Sequence, residues 1–480
     1  MAIKRPILFA GAGVMLLSFL LKISFTFFLI LAVALFTATV LLSFILNKQR
    51  LQFLFVAFAF VVFAVIGSFA HSNVEFLKMN LNQASNVTMV VTEVRESEYG
   101  FAAVGRLEKL NEKGLVNTKI RLYLSDEQQV CRGDKIEISA NLSLMEDNNH
   151  YFSQNVFVLG KKVKILQKTP KADLVQHTMG KLQNMVRNAV NSNPSGRVAQ
   201  FVLAVIVGDT AGIDDETYLN MQISGILHMV VVSGTHFTTV LAAVMFFVRR
   251  LFPKRKAKGI VSLFVILFIM LFCGFSMPVV RSGIAYFILT LAIFLDREGD
   301  SLCALAAATV IILFVCPYGA YSVSLLLTLS ATFGILVLTP IINSLTKISK
   351  LRRHKVLYDV LNVLVVSVSA NITTLPILMY TFDRVSLVSL LANLLINYSV
   401  SAVLVLALCA VVSPFTFLSK PLFLVSGLLS NYSLWAIDFC ANLPLASLTV
   451  DGKKMSAVTV MLYAVVALIY FVFIKQKKRV

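Results

Sequence analysis

The chain has 480 residues, of which 58% are hydrophobic and only 14% are charged. A soluble protein lacks the polar side chains to cover so apolar a surface, so this composition excludes soluble enzymes and predicts a membrane protein with several spans. The net charge of +19 suggests a nucleic-acid partner, but most of the excess lies in short clusters at the ends of apolar runs, which the positive-inside rule produces in any inner-membrane protein. These clusters are at 48–50, 249–258, 347–355 and 475–479.

Three apolar runs come first in the chain, at about 7–22, 26–47 and 51–70. With Lys4 and Arg5 in the cytoplasm, the three runs cross out, in and out, so the polar stretch that follows lies outside. No small-residue cleavage site follows the first run, which we interpret as an anchor rather than a removed signal peptide. We assign 1–72 to N-terminal transmembrane helices.

Residues 73–176 change abruptly to mixed charge with alternating apolar residues, at 87–94, 118–124, 135–139, 156–159 and 162–166. Period-two runs separated by Gly, Asn and Asp predict short strands, and about five of them fit an OB-like β-barrel. Such barrels often bind single strands through basic and aromatic side chains, although aromatic residues on strands are more often core residues. The candidate DNA contacts of this domain are Arg121, Tyr123, Lys161, Lys162 and Lys164.

Residues 177–223 match neither a soluble domain nor a clean span. From 179 to 190, apolar residues recur at helical spacing with basic residues between them. This pattern predicts amphipathic interfacial helices, and an ordinary juxtamembrane linker explains it equally well. We expect a second helix to end at Val207, and Asp214 or Asp215 to cap the next short helix.

Two histidines, a serine and a glycine lie within the next apolar run, at His228, Ser233, Gly234 and His236. Polar groups at membrane depth are unfavourable unless they pair or face water, so they mark a candidate site. The two imidazoles are about 80° apart around an ideal helix and no third ligand is near, so we expect no metal and no cofactor. We expect Ser233 and Gly234 to interrupt or thin the helix. For these two residues, helix packing through small residues is the alternative to a pore lining.

Nine further apolar runs obey the same parity, so that every strongly basic loop and the C-terminus are cytoplasmic. They lie at about 225–248, 258–275, 278–295, 300–316, 322–346, 356–380, 385–413, 421–445 and 455–474. The sequence therefore predicts a polytopic α-helical protein of the cytoplasmic membrane with about twelve spans. One OB-like barrel is inserted outside, after the third span.

Four more polar residues within these runs are candidates for the same site. Arg281, three residues after Pro278, either snorkels to the outer interface or faces a channel and binds phosphate through two hydrogen bonds. Asn371, Asn393 and Asn397 suit interhelical hydrogen bonds or lumen groups.

Seven short sequence blocks lie in order along the chain, at 208–209, 225, 228–236, 278–282, 328–331, 369–376 and 392–395. In this order they resemble the competence domain of ComEC proteins, the inner-membrane channel for single-stranded DNA in natural transformation. Several ordered blocks are more specific than any one short motif. On this resemblance we assign 224–474 to a transmembrane channel domain and 475–480 to a basic cytoplasmic tail.

The resemblance implies a conduit for single-stranded DNA, lined by the blocks that carry it. Its expected lining is Asp209, His228, Ser233, Gly234, His236, Arg281, Asn371, Asn393 and Asn397. It also implies a helicase-like cytoplasmic motor, a DNA receptor on the outer face and, as a further option, a homodimer. A channel must bind phosphate weakly enough to release it, and Ser, Asn and His with one or two cations suit that need.

The sequence departs from the family pattern in two ways. Many members carry a metallo-β-lactamase-like domain with a His-x-His-x-Asp-His run, whereas none of the six histidines here has that spacing. We therefore expect a form lacking that domain, with any nuclease on a separate chain. Thr235, Thr328 and Asn371 also differ from the family pattern, which leaves the chemistry at these positions open.

Two other functions compete with the channel. Ser233 with His228 or His236 suggests an intramembrane serine protease, but Val231 stands where the Gly-x-Ser-Gly context needs glycine. A small-molecule transporter predicts an inverted repeat with paired broken helices, and no clear pairing is present. No Walker A sequence occurs either, so we expect that the chain is not an enzyme and hydrolyses no ATP through a P-loop.

Overall fold

The computed structural model divides the chain into two compact units. The first contains Met1–Val186 and Val244–Leu325, and the second contains Arg187–Ala243 and Leu326–Val480. The structure describes residues 6–45, 50–81, 85–97, 100–110, 113–114, 118–125, 130–145, 149–193, 196–208, 210, 212–230, 234–252, 254–275, 277–294, 300–346, 355–382, 384–413 and 416–449.

The elements up to the end of the barrel region are α1 (Pro6–Ile23), α2 (Phe25–Ile45), α3 (Arg50–Asn80), β1 (Ser85–Ser97), β2 (Gly100–Leu110), β3 (Lys113–Gly114), β4 (Lys119–Leu124), β5 (Lys135–Leu144), α4 (Asn149–Phe152), β6 (Val156–Thr169) and α5 (Leu174–Asn191). The later elements are α6 (Arg197–Val207), α7 (Asp215–Ile223), α8 (Leu227–Val230), α9 (Gly234–Leu251), α10 (Arg255–Phe272), α11 (Met277–Phe294), α12 (Ser301–Val315), α13 (Val323–Thr346), α14 (Lys355–Phe382), β7 (Arg384–Ser386), α15 (Ser389–Val412), α16 (Thr416–Ala441) and β8 (Ser447–Thr449).

Five strands close into a barrel in the order β1-β5-β6-β4-β2, with β2 pairing back onto β1 and β3 extending the edge of β2. The pair β4–β6 is parallel, and the other pairs are antiparallel. The alternation in the sequence has its expected cause, because Ile120, Leu122 and Leu124 of β4 point into the core with Ile136 and Ile138 of β5.

The predicted strands correspond to β1, β4, β5 and β6, whereas β2 was not predicted. Its sequence contains two glycines and two alanines in place of alternating large residues. Gly105 lies so close to β1 that a Cβ there would sit 2.6 Å from the carbonyl oxygen of Val90. Because small residues are needed where two backbones approach closely, β2 has only a weak hydrophobic pattern.

The helices of the first unit form one bundle. α1 packs against α2, α3 and α12, and α11 packs against both α10 and α12. In the second unit α15 is the central helix, because it contacts α6, α8, α14 and α16. The α6 helix ends at Val207 with Gly208 in the left-handed conformation, as predicted.

Seven helices among the described residues are long and apolar enough to cross a membrane: α1, α2, α3, α13, α14, α15 and α16. Shorter apolar stretches lie in α6, α9, α11 and α12. The predicted run at 225–248 is divided, since α8 ends at Val230 and α9 begins at Gly234. The run predicted from 385 begins with a strand instead, because 384–386 pair with β8. The predicted span at 455–474 lies outside the described residues.

Candidate functional site

The histidine segment follows a tight turn in the second unit. Gly225 after α7 has φ +74°, and a Cβ at that position would lie 2.9 Å from the Cβ atoms of both Ser386 and Ser389. Asp214 caps α7 by accepting a hydrogen bond of 2.8 Å from the backbone N–H of Thr217, which confirms that prediction. The Asp214 cap and the turn at Gly225 therefore fix the two ends of α7, which precedes α8.

The structure describes part of the predicted polar stretch. His228 lies on α8, Gly234 is the first residue of α9, and His236 lies in the first turn of α9. The His236 side chain is buried, with an exposed fraction of 5%. The side chain of His228, and the whole of Ser233 and Asp209, lie outside the described residues.

Arg281 belongs to the first unit, on the first turns of α11. Its side chain is only 7% exposed, and Nη1 donates a hydrogen bond of 2.6 Å to the carbonyl oxygen of Ser324. Ser324 lies in the first turn of α13, so the guanidinium connects the starts of two helices. The contact of Arg281 with phosphate stays a prediction.

Two of the sequence blocks meet at the contact between α13 and α14. The Ser330 hydroxyl donates to the carbonyl oxygen of Thr373, and the Thr373 hydroxyl donates to the carbonyl oxygen of Ser330 over 2.8 Å. Further along, Thr339 Oγ1 donates to Ser369 Oγ over 3.0 Å. Between these bonds Gly334 lies so close to α14 that a Cβ would sit 2.4 Å from the Ser369 carbonyl oxygen. Small residues and hydroxyl groups at this spacing are typical of helices packed within a membrane.

The three predicted asparagines lie on neighbouring helices of the second unit. Asn371 is half-buried on α14, and Asn393 and Asn397 are half-buried on α15. A separation of four residues places Asn393 and Asn397 on one face of α15. α14 and α15 are in contact, so the structure brings the two sequence blocks onto adjacent helices.

An ionic network links α6, α7 and α16 at one end of the second unit. Arg197 donates two hydrogen bonds of 2.9 Å to the two carboxylate oxygens of Asp438, and its Nε donates to Thr217 over 2.7 Å. Asn220 donates to Asp438 as well, over 2.9 Å. The hydrogen bond to Asp438 raises the pKa of Arg197 above its ordinary value, against the opposing effect of burial.

The barrel carries a cluster of one cation and two aromatic rings, which we call the aromatic platform (Arg121, Tyr123 and Tyr151). The Arg121 guanidinium carbon lies 5.2 Å from the Tyr123 ring centre and 4.7 Å from the Tyr151 ring centre. The predicted lysines are exposed on β6, which pairs with β4 of the platform. They are Lys161, Lys162 and Lys164.

Comparison with known proteins decides the family. The model of the competence protein family matches residues 205–477, more than half of the chain. This chain belongs to the competence protein family. It is 23% identical over 382 residues to ComE operon protein 3 of Bacillus subtilis (strain 168). That alignment covers 75% of this chain and 46% of the relative, so the chain spans about half the length of the curated protein it matches. No solved structure matches it.

The family and the apolar helices together make this competence protein a multi-pass membrane protein. Sequence reasoning missed three of its contacts: Tyr151 in the platform, the Arg197–Asp438 pair, and the exchange of bonds between Ser330 and Thr373. Ser330 and Thr373 are 43 residues apart, and a single sequence gives no sign that they are in contact. In contrast, Arg197 and Asp438 are charged residues next to apolar runs, and such a placement predicts that each pairs with an opposite charge.

Proposed function

We propose that this competence protein passes single-stranded DNA across the cytoplasmic membrane during natural transformation. The observation that carries the proposal is the family match over 205–477, which contains α13, α14 and α15 with their polar residues. DNA uptake is the process that the competence family serves. The sequence contains membrane spans but no P-loop motif, so the energy for DNA passage is proposed to come from another protein.

The conduit is proposed to be lined by the polar residues predicted from the sequence. Asn371, Asn393 and Asn397 are half-buried on adjacent helices, which supports this lining. Neutral amide groups can replace part of the hydration of a phosphate without binding it tightly, so the strand can advance. His228, Ser233, Gly234, His236, Arg281 and Asp209 complete the proposed path.

The barrel is proposed to be an OB-like domain on the outer face, with both chain termini in the cytoplasm. Its closed order with one parallel pair supports the OB-like assignment. The aromatic platform and Lys161, Lys162 and Lys164 are proposed to hold the incoming strand by stacking and charge. The chain itself performs no catalysis in this proposal. A helicase-like motor, an outer DNA receptor, a separate nuclease and a second copy of the chain are its proposed partners.

Uptake of labelled DNA in competent cells of the source organism tests the proposal. Cells whose own copy is deleted would receive the wild-type gene or an empty vector, and nuclease-resistant internal DNA would be measured beside surface-bound DNA. We expect the gene to restore internal DNA while surface binding stays equal, because only the membrane step is missing in the deleted cells.

Unchanged internalisation in the deleted cells would contradict the channel. The small-molecule transporter would then be the better proposal, and uptake of candidate solutes would be compared in the same two strains. The serine protease alternative predicts that Ser233→Ala removes all function, whereas a pore lining tolerates a smaller side chain in part.

A further inference from the structure

Side chains of the barrel region bond to the C-terminal end of α10. α10 ends in a Schellman motif, in which the N–H of Phe275 donates to the Met270 carbonyl and the N–H of Gly274 donates to the Leu271 carbonyl. This motif leaves the carbonyl of Phe272 to be satisfied by other donors. Arg132 Nη1 reaches that oxygen at 3.3 Å, and Arg132 Nη2 reaches the Leu271 oxygen at 2.9 Å.

α5, which follows the barrel, strengthens the same contact. Gln183 Nε2 donates to the Phe272 oxygen over 2.6 Å, and Gln176 Oε1 accepts a bond of 2.7 Å from Arg132 Nε. A guanidinium at the negative end of a helix dipole is favourable in both charge and geometry. Burial lowers the pKa of Arg132 below its ordinary value, against the effect of nearby acidic groups, and an arginine stays charged at neutral pH.

The loop that carries Arg132 is itself rigidly held. Gly133 has φ +89° and a Cβ there would lie 2.6 Å from the Asp173 carbonyl oxygen. Asp134 accepts hydrogen bonds from the backbone N–H groups of Cys131 at 2.9 Å and Lys171 at 3.2 Å. The Arg132 side chain therefore starts from a fixed backbone, so its contact with α10 positions the barrel.

A second contact of the same kind joins the barrel to α12. Asn155, just before β6, donates from Nδ2 to the Val315 carbonyl oxygen over 3.0 Å. Nearby, Lys22 at the end of α1 donates to Asn149 Oδ1 over 2.7 Å and lies 4.7 Å from the ring centre of Phe152. The ends of α1, α10 and α12 thus all contact the barrel region.

We infer that the barrel is held in one fixed orientation on the helices of the first unit by Arg132 and Asn155, which cap the C-terminal ends of α10 and α12. Domains joined by a short contact usually move relative to each other. Here the barrel side chains bond to carbonyl oxygens at two helix ends, so a tilt of the barrel breaks several bonds together.

The role of this fixed orientation in DNA transport rests on the proposed function. A barrel that binds the strand guides it to one place on the membrane only if its orientation is fixed. Arg132 is then a positioning residue for uptake, although it touches no DNA. Tyr151 of the aromatic platform is next to Phe152, which contacts Lys22, so the platform is continuous with the docking contacts.

Spin-label distance measurements on the purified full chain test the fixed orientation. Labels at Lys109→Cys on the barrel and Ser301→Cys on α12 would report their separation, in a background with exposed Cys131 and Cys409 replaced by serine. We expect one narrow distribution for the unaltered contact and roughly a doubling of its width for Arg132→Met. Arg106→Met is the matched control, since that arginine has a side chain 60% exposed on β2.

A narrow distribution in Arg132→Met would overturn the inference. If that variant fails to fold, Arg132→Lys and Asn155→Gly decide by the same width, and glycine is compatible with φ +61° at 155. Uptake is measured in the same variants. A wide distribution with unchanged uptake would overturn the positioning role, whereas failure of the wild-type gene to restore uptake would count against the proposed function alone.

Discussion

Gly225 and Gly196 both have positive φ, +74° and +60°, but they differ in what surrounds them. A Cβ at Gly225 would meet Ser386 and Ser389 at 2.9 Å, whereas a Cβ at Gly196 would meet nothing within 4 Å. Gly196→Ala should therefore destabilise by about 1–3 kcal/mol through backbone strain alone, because φ +60° with ψ −137° is a region that almost only glycine adopts. Gly225→Ala should destabilise by about 1–3 kcal/mol in addition to its own backbone strain, because the turn must also move away from β7.

Unfolding of the two purified variants in mixed micelles by SDS titration measures both losses. A loss of unfolding free energy below about 1 kcal/mol in Gly225→Ala would contradict the close approach of Gly225 to β7. A loss well above about 3 kcal/mol in Gly196→Ala would contradict the open surroundings at that position.

At single residues the sequence predicted local features well and long-range ones poorly. The Asp214 cap and the Gly208 helix end depend on neighbours within a few residues, so their residue types were sufficient. The burial of Arg281 against Ser324 depends on a helix 43 residues further along the chain, and only the structure reveals that partner.

Among the elements, the contact between α13 and α14 allows a matched pair of substitutions. Thr373 donates across to the Ser330 carbonyl over 2.8 Å, whereas Thr381 on the same helix donates only to its own Ile377 carbonyl over 2.7 Å. Hydrogen bonds between membrane helices contribute about 0.6 kcal/mol on average and up to about 1.7 kcal/mol. Thr373→Val should therefore lower the free energy of unfolding by about 0.5–1.5 kcal/mol more than Thr381→Val does.

The same SDS unfolding assay compares the two threonine variants. If both lose equal stability, the bond from the Thr373 hydroxyl to the Ser330 carbonyl does not contribute to the packing of α13 against α14.

The pair of Arg197 and Asp438 links three elements and should be stronger than an ordinary surface ion pair. A double-mutant cycle with Arg197→Gln and Asp438→Asn should give a coupling energy of about 1 kcal/mol, because two parallel bonds and the Asn220 amide fix the carboxylate. The control is Lys78 with Glu75, an exposed ion pair of 3.0 Å within α3. We expect a coupling of about 0.3–0.5 kcal/mol for that pair. Equal coupling in both cycles would contradict a linking role for Arg197.

Elements with strong periodicity were predicted and those defined by pairing were not. α1, α2 and α3 follow from long apolar runs, and β4 and β5 follow from strict alternation. β2 and the short pair of β7 with β8 are defined by their partner strands, and their own sequences contain little signal. The helix break before Gly234, in contrast, lies where Ser233 and Gly234 suggest an interruption of the apolar run.

For the whole molecule, the predicted orientation can be tested with a native residue. Cys131 is exposed on the barrel, where it should face the outside of the cell. A maleimide that does not cross membranes should therefore label Cys131 in intact cells, and Cys131→Ser should remove that label. Labelling of Cys131 only after the membrane is permeabilised would contradict an external barrel. Cys409 is exposed on α15, and Cys409→Ser checks that the label is not located there.

The ends of α1, α10 and α12 contact the barrel region, and the parity predicted from the basic clusters directs the same three ends to one side of the membrane. That parity, and with it the external position of the barrel, stays a prediction. Which side chains meet across the bundle was not predictable, since packing inside a membrane depends on shape more than on polarity.

The most direct test of the proposed conduit is whether DNA in transit contacts the residues proposed to line it. A photo-crosslinking amino acid would replace Asn393 on α15 or, as control, Leu424 on α16, whose side chain is 67% exposed. Cells that still internalise DNA would take up a labelled strand blocked at one end by a bulky protein, and the crosslinked chain would be isolated. DNA should be crosslinked at 393 and not at 424. Equal yields at the two positions, or DNA at neither while uptake continues, would contradict a conduit through this protein.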